Sequence, residues 1–125
     1  MSERSRAASE GRLQILIEPI NQTVRVHLAG HILAETQSAL RVWEGGHDAG
    51  LYIPRADIDL TMLERSSNQA FFPQKGQCTY FNLPDAETRS QNAAWSFENP
   101  QLALATVKDY IAFDRRCVDW IQIET

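Results

Sequence analysis

Lys75 has the strongest chemical setting in the sequence. It stands in Pro73-Gln74-Lys75-Gly76, between a residue that fixes φ and one that tolerates positive φ, so its ammonium is held at a bend. A lysine so placed can meet an anionic ligand group or a carboxylate of its own chain; otherwise it is a turn lysine reaching solvent, with Gly76 present for its backbone angle. Arg55 and Asp57, two apart in a segment read as extended, project from one face and make either an ion pair between strands or a polar site. Trp43, Tyr52, Tyr80 and Trp95 either line an aromatic cleft for a small or cationic ligand, with Tyr80 and Trp95 the foremost, or fill the core, the usual fate of aromatics in a small domain.

Other chemistries find less support. His27, His31 and His47 are spread over three elements without ligand spacing, so no metal site is expected. Cys78 paired with His31 or His47 is a weak nucleophile–base arrangement. Ser96 lacks the Gly-x-Ser-x-Gly elbow of a serine hydrolase. No cofactor is implied.

A length of 125 residues suffices for one domain with a real core, and 43% apolar with 22% charged residues is ordinary for a globular chain. A net charge of −4, with scattered cations, argues against nucleic-acid binding. The apolar runs fall short of the roughly 18 to 20 residues that span a bilayer, so no membrane partner is expected. Met1 to Arg12 is polar, lacks an apolar signal core and reads as a loose tail ahead of one domain over 13–125. Cytoplasmic location follows as an expectation, with Cys78 and Cys117 as free thiols.

The elements that must position these residues are mostly strands. Residues 13–18 read as a first strand, at an edge because Pro19 ends it. Val24, Val26 and Leu28 alternate with Arg25 and His27, and Gly30-His31 reads as a type II′ turn into Ile32–Thr36. Ala39–Glu44 and Leu51–Pro54 flank a glycine-rich loop, with Trp43 and Tyr52 placed to share one face of that hairpin. Asp57–Leu63 reads as a strand and Ser66–Gln69 as a loop. Gln77–Leu83 alternates Thr79, Phe81 and Leu83 against Cys78, Tyr80 and Asn82. A polar connection (Pro84–Asn92) leads to a strand at Ala93–Phe97. Asn99-Pro100 reads as a helix start, continued by Leu104, Val107 and Ile111 at helical spacing. Tyr110–Phe113 and Val118–Ile123 close the chain. Many short strands and one short helix predict a mainly β domain.

Tyr52-Ile53-Pro54-Arg55-Ala56-Asp57, Pro73-Gln74-Lys75-Gly76, Tyr80, Ala93-Ala94-Trp95-Ser96-Phe97 and Tyr110-Ile111-Ala112-Phe113 carry a family resemblance. From about Val24 to Asp119 the chain resembles the bacterial and fungal family catalogued as domain of unknown function 427, which has no established activity. The resemblance implies a β-tent-like fold of several short, coiled antiparallel sheets packed at an angle. Zinc-stabilised members of the β-tent group use two CxxC pairs, which this sequence lacks. Where the family commonly has Cys before the Pro-x-Lys-Gly run this chain has Phe72, and it has Cys78 where Ala is usual. The nucleotidyltransferase label attached to the family finds no phosphate-cradling glycine loop or Gly-Ser with spaced aspartates here.

These observations favour a binding module that holds a small molecule or peptide in a cleft made by Lys75, Tyr80, Trp95, Arg55, Asp57 and Tyr52. An enzyme using Lys75 or Tyr80 beside Asp57, or a structural protein that assembles through an apolar face, are the alternatives. The binding reading requires the Pro-x-Lys-Gly bend and the tryptophan strand to share one hollow.

Overall fold

The computed structural model describes residues 14–46, 48–83 and 91–124, so the expected tail over residues 1–12, His47, and most of the connection after Leu83 lie outside the described residues. Ten strands run through the described residues: β1 (Ile15–Pro19), β2 (Thr23–Leu28), β3 (His31–Thr36), β4 (Leu40–Glu44), β5 (Gly50–Ile53), β6 (Glu64–Phe72), β7 (Gly76–Asn82), β8 (Ala94–Pro100), β9 (Ile111–Phe113) and β10 (Trp120–Glu124). They form two antiparallel sheets, one ordered β1-β4-β5-β9-β8-β7-β6 and the other β10-β2-β3. The mainly β class read from the sequence is the class found, and β1 takes the edge that Pro19 implied. Among the described residues no helix is long and apolar enough to cross a membrane.

Within the larger sheet the central strands β5 (Gly-Leu-Tyr-Ile) and β9 (Ile-Ala-Phe) are buried on both faces, and their runs are correspondingly apolar throughout. Leu51 and Ile53 of β5, Phe81 of β7, Ala94 of β8 and Ile111 of β9 face the small sheet and pack with Val24, Val26, Leu28 and Leu33. Tyr52, Cys78, Phe97 and Ala112 point the other way, and with Val42 they pack against Leu104 and Val107. The small sheet keeps period two, with Val24, Val26 and Leu28 inward from β2. The alternation expected for β7 holds: Thr79 and Phe81 are on one side, Cys78 and Tyr80 on the other.

Several local expectations are corrected. The β2–β3 turn is Ala29-Gly30, one residue earlier than expected, with Leu28 opposite His31 and positive φ at both turn residues (55° and 81°), as in a type I′ turn. Asp57–Leu63 is not a strand but two 3-10 turns, Arg55–Asp57 and Leu60–Met62. Asp59 accepts bonds from the Thr61 amide and hydroxyl, and this local bonding outcompetes a ladder. Ile58 still reaches the core through a bridge to Ala34. Ser66–Gln69 is not a loop but lies within β6, at an irregularity between Arg65 and Gln69. There the Ser66 hydroxyl accepts from the Asn68 amide and donates to Asn92, so side-chain bonds replace ladder bonds.

Asn99-Pro100 does not start a helix; it ends β8, opposite Gln77 and Gly76. A 3-10 segment follows at Leu102–Val107, after Gln101. The spacing that joined Leu104, Val107 and Ile111 is split at Asp109 (φ 67°), so Leu104 and Val107 cover one face of the large sheet while Ile111 enters β9 and packs on the other. Trp43 and Tyr52 do not share a face. Val42 lies opposite Gly50 and Leu40 opposite Tyr52, so Trp43, one residue out of step, points away and bonds Glu18 through Nε1 at 3.1 Å.

Candidate functional site

A cleft of about 460 Å³ opens on the face of the large sheet that carries Tyr52, Cys78 and Phe97. Its volume is in the range of small-ligand sites. Lys75, Tyr80, Trp95 and Tyr52 all line it, although they come from one turn and three strands. Strand pairing brings them together. Tyr80 lies opposite Trp95 and Cys78 opposite Phe97, so these four side chains share one face of the β7–β8 pair, and Ala112 carries the row on from Trp95 to Tyr52.

The Lys75 bend is built by the residues that flank it. The Lys75 amide bonds the Phe72 carbonyl at 2.9 Å, closing a β-turn with Pro73 at its second position, where fixed φ is favoured. Gly76 has a φ of +112°, and a Cβ on it would stand 2.8 Å from the Asn99 carbonyl oxygen and 2.9 Å from Pro100 Cα. The Lys75 carbonyl accepts from the Gln101 amide at 2.8 Å. Glycine is therefore required twice, for backbone angle and for the close approach of β8.

Lys75 does not wave into water. Its ammonium bonds Glu44 Oε1 at 2.9 Å, both side chains being largely buried, and stands 4.5 Å from the Phe72 ring centre and 5.6 Å from that of Phe97. Of the two roles open to it, meeting a carboxylate of the chain is the one this geometry displays. Trp95 is half-buried and its indole N–H donates to the Tyr52 hydroxyl at 3.1 Å, which fixes the ring at the cleft wall. Tyr52 is itself buried, and burial pushes its phenol above the ordinary value. Burial likewise raises the Cys78 thiol, outweighing the Tyr80 hydroxyl and the Lys75 charge, and raises the Tyr80 phenol. All three groups thus stay protonated at neutral pH, so neither the thiol nor the phenols are poised as nucleophile or base.

Arg55 and Asp57 do not open onto this cleft. They sit on a 3-10 turn rather than an extended segment, and their partners are elsewhere. Asp57 accepts from the Thr36 hydroxyl at 2.6 Å. Arg55 donates to the Asp109 carbonyl and to buried Ser96 Oγ, pairs with Glu98 at 2.9 Å and lies over Phe81, all on the sheet's opposite face. Arg65 grips the same Glu98 with two bonds of 3.0 Å and also lies over Phe81. Arg65 foremost, with Arg55, holds the Glu98 carboxyl down at about 2. This cluster braces β6 and β8 to the turn after β5. With Asp57 bonded to Thr36, the arrangement of Lys75 or Tyr80 acting beside Asp57 is not formed.

Glu44, Phe72, Phe97, Asp48, Asp114 and Arg116 line the cleft without having been singled out in the sequence. Phe72 and Phe97 had a signal, being next to the Pro-x-Lys-Gly run and two residues beyond Trp95. Glu44 had none, since 31 residues separate it from Lys75. His27 stacks on Trp120 with ring centres 4.0 Å apart, and no cluster of three metal-ligating side chains occurs among the described residues. Cys78 and Cys117 are both buried and are not joined in a disulfide.

No curated protein matches the chain. A family model described as Domain of unknown function (DUF427) matches residues 16–124, a span that includes the Lys75 bend, the Trp95 strand and the Glu98 brace. With nearly the whole described chain covered, the protein belongs to the domain of unknown function 427 family.

Proposed function

We propose that this protein is a binding module whose aromatic cleft takes a small molecule or a side chain of a peptide. One observation carries the reading: Lys75, Tyr80 and Trp95, from separate parts of the chain, line a single cleft of about 460 Å³. Two features support it further. Trp95 is held by Tyr52 and Lys75 by Glu44, so the walls are set before a ligand arrives, which lowers the ordering cost of binding. The protonated thiol and phenols favour binding over nucleophilic chemistry at this site. A cytoplasmic setting belongs to the same reading and suits two buried cysteines that are not joined in a disulfide.

A thermal-shift screen of metabolites, nucleotides and short peptides tests it. A ligand at a hundred times its Kd stabilises by about 2.7 kcal/mol, a rise on the order of 10 °C for a domain of this size. The rise should shrink in Tyr80→Ala, which removes a half-buried wall and leaves the Trp95–Tyr52 bond in place. A broad screen without a hit, or hits that Tyr80→Ala leaves untouched, would end the proposal.

A further inference from the structure

We infer that the ligand of this cleft is an organic cation, of the substituted-ammonium class; the inference rests on the binding role proposed above and narrows it. Charge is the first ground. The cleft is lined by three carboxylates, Glu44, Asp48 and Asp114, and by two cations, Lys75 and Arg116. Both cations are already engaged, Lys75 by Glu44 at 2.9 Å and Arg116 by Asp114 at 3.0 Å. Asp48 forms no ion pair among the described residues. An anion entering here would have to displace a carboxylate from its partner while facing the others. A cation meets a carboxylate that is not paired.

Ring chemistry is the second ground. The cleft already holds one ammonium against aromatic rings, because Lys75 Nζ lies within 6 Å of the centres of both Phe72 and Phe97. That is the range in which a ring's negative face attracts a cation. Across the cleft Tyr80 and Trp95 are half-buried, with no cation over either ring among the described residues. An alkylated ammonium fits such walls better than a compact, strongly hydrated ion, since its methyl groups pack on the rings while its charge is spread. Glu44 neutralises Lys75 and so removes most of the repulsion that an entering cation would feel.

Three probes of one shape separate charge from bulk: choline, its uncharged carbon isostere 3,3-dimethylbutan-1-ol, and the anion 3,3-dimethylbutanoate. Each is titrated into the full chain while the tryptophan indole N–H signals are followed by NMR. Trp95 reports the cleft, and Trp43 and Trp120, outside its lining, serve as internal controls. Choline should bind at least about tenfold more tightly than the alcohol and move the Trp95 signal alone, consistent with the strength of partly desolvated cation–π contacts. Asp48→Asn, a change at an exposed side chain, should weaken choline several-fold and leave the alcohol unaffected. Equal binding of alcohol and choline at Trp95, or tighter binding of the anion there, overturns the cation inference while the cleft remains a ligand site. No movement of Trp95 with any probe also overturns it, and then only the unrestricted metabolite screen can sustain the wider binding role.

Discussion

Gly76 shows how much one missing side chain can decide. The bend that presents Lys75 needs a φ of +112° and lets the Asn99–Gln101 backbone come within 3.1 Å of where a Cβ would stand. Gly76→Ala should therefore destabilise the domain by at least about 2 kcal/mol, from backbone strain and from contact with backbone atoms that cannot rotate away. Urea unfolding checks this through a lowered midpoint at unchanged slope. An alanine variant as stable as the parent would mean that the bend rearranges freely. At the same scale, the Pro-x-Lys-Gly run was legible in sequence as a turn, because Pro and Gly restrict the backbone wherever they occur. The partner of its lysine was not legible, because Glu44 approaches only through the order of strands in the sheet.

Among the elements, β8 is the one on which both faces of the large sheet converge. Trp95 and Phe97 give it the cleft face, while Ser96 and Glu98 give it the braced face. The irregular pairing near Gln77 and Cys78, where Phe97 and Asn99 are paired and Glu98 is left over, allows the carboxylate to meet Arg55 and Arg65 together. The brace carries a pH signature. Glu98 has a folded value near 2 against an ordinary 4.5, so its contribution to stability is fully present above about pH 4.5. It is lost as pH falls toward 2, where the folded state also protonates. Unfolding experiments from pH 5 to pH 2 should show a steeper loss of stability in the parent than in Glu98→Gln; curves of equal slope would show that the brace does not couple folding to this proton. The two-residue spacing of Arg55 and Asp57 suggests two side chains on one face of an extended segment. A 3-10 turn after Pro54 sends Arg55 to the far face instead.

At the scale of the molecule, two clusters of buried side chains lie on either side of one sheet. The second is closed by the Leu102–Val107 segment rather than by another sheet. Leu104 is fully buried and Leu102 almost fully exposed, though only two residues apart. Leu104→Ala should cost about 2 to 5 kcal/mol by leaving a cavity behind the cleft, whereas Leu102→Ala should stay within about 0.5 kcal/mol. Thermal unfolding of the two variants distinguishes them, and a large loss from Leu102→Ala would show that its surroundings are not those described.

Local rules were enough for whatever the backbone decides over a few residues. Alternation in β2 and β7, the bend at Lys75 and the mainly β class all follow from side-chain period and from Pro and Gly, and these act without regard to the rest of the chain. The sequence also carried the family likeness and four of the residues that line the cleft, Lys75, Tyr80, Trp95 and Tyr52. Only the tertiary structure decided which face each of them took and which charge each one met. Strand order placed Glu44 beside Lys75, a 3-10 turn sent Arg55 to the far face, local bonds at Asp59 replaced the strand that periodicity suggested, and pairing with β7 drew Ser66–Gln69 into β6. The Lys75–Glu44 and Arg55–Ser96 contacts join residues 31 and 41 positions apart, where spacing along the chain carries no information about distance in space.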